Sequence, residues 1–407
     1  MFILLTACSL APATPMPTAV PTAMPTVANA VEISAESPAG FQQFLTKIDN
    51  TQLADRPFAL NRYWAQITQS PLVDKTHAVF LYRGEANTVA LTGDMTNFVP
   101  AAQLALTRIN GTDLWWYQGE YEAEARLDYL LVVDEKPVLD PHNPFTVPNP
   151  LGLRSEMRMA GFVDSAELTD PITYPAGTLT EHSIESSYLD QRRTFLVYKP
   201  ASQQIGVPPP LLIVQDGSAA LSLIDMPRLL DTLIGRHTSI PLVVAFVPPL
   251  DRTNEYQLND AYAAFLAEEL LPFIQAEYKT DPAPTKNGLL GADLGAVAAL
   301  HTALRYPNRF GLVAAQSGIF SLADDSLMRA IAANPALPLK LHLIVGSYET
   351  NIMPDQFADP DILATNQRMA VMLERNGYEF IYQEFAQGHS WGLWRSQIGD
   401  ALHYLYR

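Results

Sequence analysis

A single cysteine, Cys8, in 407 residues excludes an intrachain disulfide. Basic residues are also scarce. Lysine and arginine total 26 against 43 aspartates and glutamates, a formal net charge of −17. That balance argues against nucleic acid or an anionic lipid surface as partner. No uninterrupted apolar run approaches the roughly 20 residues of a membrane-spanning helix, and no internal repeat is visible. Histidines, cysteine and carboxylates do not fall at metal-ligand spacing, so neither a metal nor another cofactor is expected. Against these absences, 48% of the residues are hydrophobic. That suffices for sizeable cores, and the length favours two folded domains.

Met1 to Leu5 is apolar, and Leu5-Thr6-Ala7-Cys8 resembles a bacterial lipobox, in which the cysteine is lipidated after cleavage. Residues 1–8 therefore read as a truncated lipoprotein-type signal, short of a positively charged start; an ordinary cysteine is the alternative. Residues 12–26 repeat Pro, Thr, Ala and Met without charge or hydrophobic period. Such a sequence cannot bury a core, so residues 9–38 are expected to form a disordered spacer. Together these features predict an extracytoplasmic, cell-surface lipoprotein that meets the membrane only through Cys8.

Residues 39–165 begin with Phe41, Phe44, Leu45 and Ile48 at helical spacing. Short runs of strand composition follow at 78–82, 88–91, 104–109, 114–121 and 127–133, separated by Gly93-Asp94 and Asn110-Gly111. This pattern predicts a small β-sandwich. Trp115 and Trp116 should project to opposite faces, one into the core and the other free to serve as a ligand platform or an interdomain contact. The proline-rich stretch 140–150 reads as a loop or linker. Residues 181–407 change rhythm. Apolar runs at 195–198, 211–214, 242–247, 312–315 and 341–345 alternate with helical patterns, one of which places Tyr262, Phe265, Leu266, Leu270 and Phe273 on one face. Continuous apolar strands alternating with helices predict an α/β domain with a largely parallel sheet.

Gly291-Ala292-Asp293-Leu294-Gly295 lies between a short apolar strand and an alanine-rich helix. This is the layout of the G-x-S-x-G nucleophile elbow, whose glycines permit a sharp turn that lifts the central side chain above the sheet. The central residue here is Asp293, where serine is expected. His389, in Gly388-His389-Ser390-Trp391, follows the last apolar run, where this fold holds its general base. Glu349 follows the preceding strand, at the position of the orienting acid; Asp355 and Asp359 are alternatives. Asp216-Gly217-Ser218 follows the strand at 211–214, so the amides of Gly217, Ser218 and Leu294 are candidate oxyanion donors. Ser317 sits on a strand-end turn and reads as structural, and His142 and His182 as surface or loop residues.

These motifs, with Arg252-Thr253-Asn254-Glu255-Tyr256, Glu268-Glu269-Leu270-Leu271-Pro272 and Tyr306-Pro307-Asn308-Arg309-Phe310, resemble the esterase D superfamily of α/β-hydrolases. Within it the chain is most similar to enterochelin (ferric siderophore) esterases. Those proteins carry an Ig-like early-set β-sandwich ahead of the hydrolase, matched here by Phe80-Leu81-Tyr82-Arg83-Gly84, the segment 91–98 and Asp140-Pro141-His142-Asn143-Pro144. The resemblance implies that Asp293, His389 and Glu349 occupy the catalytic positions, while Arg252 and Glu255 shape the site. It implies a small-molecule ester or glycan-like ligand and hydrolysis of a carboxylic ester. Asp293 leaves three readings open: a degenerate site that only binds its ligand, a hydrolase with an aspartate nucleophile, and residual hydrolysis in which Asp293 or His389 activates water over a retained oxyanion hole.

Overall fold

In the computed structural model, residues 33–202, 206–333, 336–352, 359 and 361–407 are described. Cys8, most of the segment 9–38 and Asp355 lie outside them.

The chain enters through the helix Pro38–Asp49, started by Ser37, whose hydroxyl accepts from the Gly40 amide at 3.0 Å. A second helix, Arg56–Trp64, follows. Two antiparallel sheets then form the sandwich. One holds four strands in the order Leu72–Val73, His77–Arg83, Leu114–Glu120, Thr107–Arg108. The other runs Leu104–Ala105, Val89–Gly93, Arg126–Val133, Gly152–Arg158, Thr146–Asn149, with Lys136–Val138 paired to Arg126–Val133. Their facing side chains, among them Phe80, Leu91, Trp115, Leu127, Tyr129 and Met157, make one buried core.

Three expectations change here. The run at 104–109 is two short strands in different sheets, because the chain crosses between them at the buried Leu106. The stretch 140–150 contains the strand Thr146–Asn149, which tolerates Pro148 because it lies at a sheet edge. Trp116 is not a ligand platform. Its face of the sheet is covered by the two N-terminal helices, and its ring lies 5.3 Å from Phe41 over a second core with Phe44, Ile48, Leu60 and Tyr63.

The second domain is an α/β-hydrolase whose sheet starts at Thr178, three residues before the expected boundary. Its eight strands run Thr178–Ser186, Gln191–Lys199, Val243–Phe246, Leu211–Val214, Asn287–Ala292, Leu312–Gln316, Lys340–Gly346, Glu379–Phe385. The first two pairings are antiparallel and the other five parallel, so Gln191–Lys199 alone runs against the rest. Strands Leu211–Val214, Val243–Phe246 and Asn287–Ala292 are buried along their whole length, as expected of strands covered on both sides. One face packs under helices Leu294–Arg305 and Ile362–Arg375, and the other under Met226–Gly235 and Ile398–Tyr406. Tyr262, Phe265, Leu266 and Leu270 are all buried on the first face, where a π-helical turn over Phe265–Leu270 interrupts the helix. Among the described residues no helix is long and apolar enough to cross a membrane.

Candidate active site

Ligand clefts of open α/β sheets form at the carboxyl ends of the strands, and that edge gathers the chemistry here. Asp293 caps strand Asn287–Ala292 and starts helix Leu294–Arg305 with φ 57° and ψ −123°. A side-chain-bearing residue in that region stores about 1–3 kcal/mol of strain. Only glycine fits two residues earlier, since a Cβ on Gly291 would lie 2.1 Å from the Gly295 carbonyl oxygen. The elbow is therefore intact in its backbone and altered in its central side chain.

Glu349 follows strand Lys340–Gly346 and is fully buried. One of its oxygens lies 2.6 Å from His389 Nδ1. The other accepts from the Ser317 hydroxyl and the Gly346 amide, each at 2.7 Å. Ser317 in turn accepts from Trp394 Nε1 at 2.9 Å, and the Trp394 ring meets His389 edge-on at 4.9 Å. Ser317 is structural, as its turn suggested, and its task is to hold the acid. Asp359 pairs instead with Arg368 at 2.8 Å.

His389 Nε2 faces Asp293 Oδ1 at 3.6 Å, an ionic contact beyond hydrogen-bond reach. That oxygen has no hydrogen-bond partner among the described residues. The other oxygen, Oδ2, accepts from Arg252 Nη1 at 2.9 Å. Arg252 also grips both oxygens of Asp216, through Nε at 2.8 Å and Nη2 at 2.9 Å. The sequence motifs assign Arg252 to shaping the site and Asp216 only to its backbone; in the structure the Arg252 guanidinium joins the Asp216 and Asp293 carboxylates. Their signal was present in the Arg252–Tyr256 motif, but the partner of an arginine is not readable from a motif. Glu255 is buried and paired with Arg193 at 2.6 Å.

The protonation states follow from this packing. Burial alone would lower the His389 pKa, but Glu349 and Asp293 outweigh it and push the imidazole up to about 10. Burial opposes ionisation of Asp293 too; His389 first, then Arg252, more than offset it and hold the carboxyl below its ordinary range. Burial raises the Asp216 pKa, with Arg252 opposing and Asp293 adding to the shift. At neutral pH the imidazole is thus a cation between two carboxylates.

The oxyanion donors need one correction. The Gly217 amide donates to the Val247 carbonyl at 3.0 Å, and the Asp216 amide to the Tyr256 hydroxyl at 2.8 Å. Gly217 is a packing glycine, since a Cβ there would lie 2.4 Å from the backbone of Phe246 and Val247. Ser218 and Leu294 occupy the first turns of their helices, where backbone N–H groups have no helical acceptor. His182 contacts the Tyr278 hydroxyl at 2.6 Å and His142 packs on Trp64, so neither enters this cluster.

The profile of the esterase family matches residues 186–405, slightly more than half the chain. This protein belongs to the esterase family. It is 29% identical over 234 residues to the uncharacterized protein YjcH of Bacillus subtilis, covering 56% of this chain and 96% of that one. It is 21% identical over 384 residues to the iron(III) enterobactin esterase of Escherichia coli K12, covering 86% and 92%. The crystal structure of the Shigella flexneri enterobactin esterase in the presence of enterobactin superposes with a TM-score of 0.70 at 20% identity, over 85% of this chain and 97% of that one. That last likeness is one of fold, and it spans both the sandwich and the hydrolase. The chain is an esterase-family α/β-hydrolase similar to siderophore esterases.

Proposed function

We propose that this protein binds a small carboxylic ester in the cleft above the elbow, and that the acyl-enzyme route is closed in it. The observation that carries this reading is the double pairing of Asp293, with Arg252 on one oxygen and the His389 cation against the other. A serine-type route needs a neutral imidazole and a hydroxyl; this centre holds a protonated imidazole and a carboxylate. A carboxylate attacking an ester carbonyl would give a mixed anhydride, so an aspartate nucleophile suits this substrate class poorly.

Charge narrows the ligand class. Asp216, Asp293 and Glu349 face Arg252 and His389, leaving the cluster with one excess negative charge on a chain of −17. A neutral ester, such as a metal-free siderophore ester or an acylated carbohydrate, fits that field better than a multiply anionic ferric complex. A second reading is slow hydrolysis by direct attack of water. Asp293 Oδ1, which accepts no hydrogen bond among the described residues, and the first-turn amide of Ser218 favour it.

The deciding experiment is Asp293→Ser. The serine variant should hydrolyse short acyl esters at least ~100-fold faster than wild type and react with serine-directed phosphonates. Wild type should react with no phosphonate, yet gain thermal stability from neutral esters. A serine variant no faster than wild type would mean that the pocket has changed beyond Asp293, leaving ligand binding alone; wild-type turnover above the variant's would overturn the closed-route reading and make Asp293 a catalytic group. We also propose, from Leu5-Thr6-Ala7-Cys8 and the spacer behind it, that the native protein is an extracytoplasmic lipoprotein. Unmodified Cys8 in native material, detected by mass spectrometry, would overturn that.

A further inference from the structure

The segment that carries His389 is gripped by the β-sandwich rather than by its own domain alone. Arg126, at the start of strand Arg126–Val133, is 2% exposed. Its amide donates to the Ala386 carbonyl at 3.0 Å, and its backbone bridges to Gln387. Its guanidinium donates through Nη1 to the Ser390 hydroxyl at 3.2 Å. Two glycines mark where the sandwich presses on this loop. A Cβ at Gly388 would lie 2.1 Å from the Asp94 carboxyl carbon, and one at Gly392 would lie 2.1 Å from the Arg126 guanidinium carbon. Neither contact leaves room for a side chain, and His389 lies between them.

The guanidinium is itself fixed from behind. Arg126 Nη2 donates to Asp128 at 2.7 Å and to Glu156, and Nε to Glu156 at 3.0 Å. Asp94 accepts from the Asp128 amide at 2.7 Å, and Arg395, on the helix that follows His389, reaches Glu156 at 3.2 Å. Ser390 precedes helix Trp391–Ser396, which brings Trp394 against both the His389 ring and Ser317. A continuous set of contacts therefore runs from the sandwich to the imidazole and to Ser317, which holds Glu349.

We infer that Arg126 is a positioning residue for His389, and that the sandwich completes the active-site cluster by fixing the loop between Ala386 and Gly392. The inference rests on His389 being the imidazole of the site; it does not depend on whether the site turns over esters. A sandwich that merely accompanied the hydrolase would not need its most deeply buried arginine on the loop of another domain.

The test is an NMR titration of His389 in the full chain, read without any ester. Arg126→Lys keeps the charge but loses the fork that serves Ser390 and Glu156 together. The ring should then drift from Glu349, lowering its titration midpoint by at least about one pH unit. Ser390→Ala cuts only the contact to the loop and leaves the buried charges paired; it should lower the midpoint by about half a unit. Tyr129→Phe removes a sandwich hydrogen bond to Asp140 (2.7 Å) that does not touch the loop. It should lower the melting temperature and leave the His389 midpoint in place. If Arg126→Lys fails to fold, Ser390→Ala decides. An unchanged midpoint in a folded Ser390→Ala variant, or an equal shift in Tyr129→Phe, overturns the inference. In the Asp293→Ser background, both loop variants should lower kcat with little change in KM.

Discussion

Arg252 and Arg126 are both held by carboxylates, in unlike surroundings. The Arg252 side chain keeps 36% exposure beside the elbow, whereas Arg126 keeps 2% beneath the His389 loop. Around Arg252 the guanidinium itself is open to water and to a ligand, although its partners Asp216 and Asp293 are buried. Around Arg126 there is no such opening: Arg126, Asp128 and Glu156 are all desolvated, and removing the arginine leaves Asp128 buried without its cation. The first cluster is therefore suited to recognition and the second to holding a shape. Two ion clusters of similar composition differ in what they can do because they differ in access to water.

The sharpest way to break that comparison is to replace each arginine by methionine. Arg126→Met should cost about 3–5 kcal/mol in urea unfolding, because Asp128 stays buried without its cation, although Glu156 keeps Arg158 and Arg395. Arg252→Met should cost less, about 1–3 kcal/mol, since Asp293 keeps His389 while Asp216 stays buried without its cation. Equal losses would mean that the cleft is as closed as the junction.

A pH series sharpens the same contrast at the elbow. His389 titrates at about 10 in the folded chain, against about 6.5 unfolded. A raised folded pKa contributes stability that is complete below about pH 6.5 and is lost as pH rises toward the folded value, here on the order of a few kcal/mol. Asp293 acts in the opposite sense. Its folded pKa is depressed, so its contribution is present above the unfolded value of about 3.9 and fades as pH falls through the folded one. The elbow should be most stabilising between about pH 4 and 6.5. Comparing urea midpoints of wild type and His389→Gln across this range checks it. A wild type that loses no more stability than the variant toward pH 10 would contradict the ion-paired imidazole.

The smallest effect belongs to pairs that never leave water. Arg228 and Asp225 lie 3.7 Å apart with side chains 61% and 66% exposed. Asp225→Asn should change stability by no more than about 0.5 kcal/mol. A larger loss would show that burial is not what separates the two arginines.

Much of the hydrolase was legible before any coordinates. Strand–helix alternation announced the parallel sheet because buried strands must be apolar throughout, and the two glycines around Asp293 announced the elbow because its turn leaves no room for a Cβ at Gly291. Glu349 and His389 could be picked out by their order along the chain, since each follows a strand of the sheet. The sandwich was readable as a class but less so in detail. Thr146–Asn149 hid behind Pro148, and the run at 104–109 concealed a change of sheet. Trp116 illustrates a different gap: alternation says which way a side chain points, and says nothing of what later covers that face. Gly217 misled for a similar reason, because its place after a strand was right while its amide was already engaged by Val247 from another strand.

By itself, then, the sequence determined the two fold classes, the altered elbow and the order of its partners, all of which follow from local periodicity and backbone geometry. Tertiary structure alone decided the rest. It brought Arg252 and Asp216 onto Asp293, made His389 a cation between two carboxylates, and set Arg126 against a loop 264 residues away at Ser390. Those are matters of distance and desolvation between segments remote in the chain, and neither quantity exists until the chain is folded.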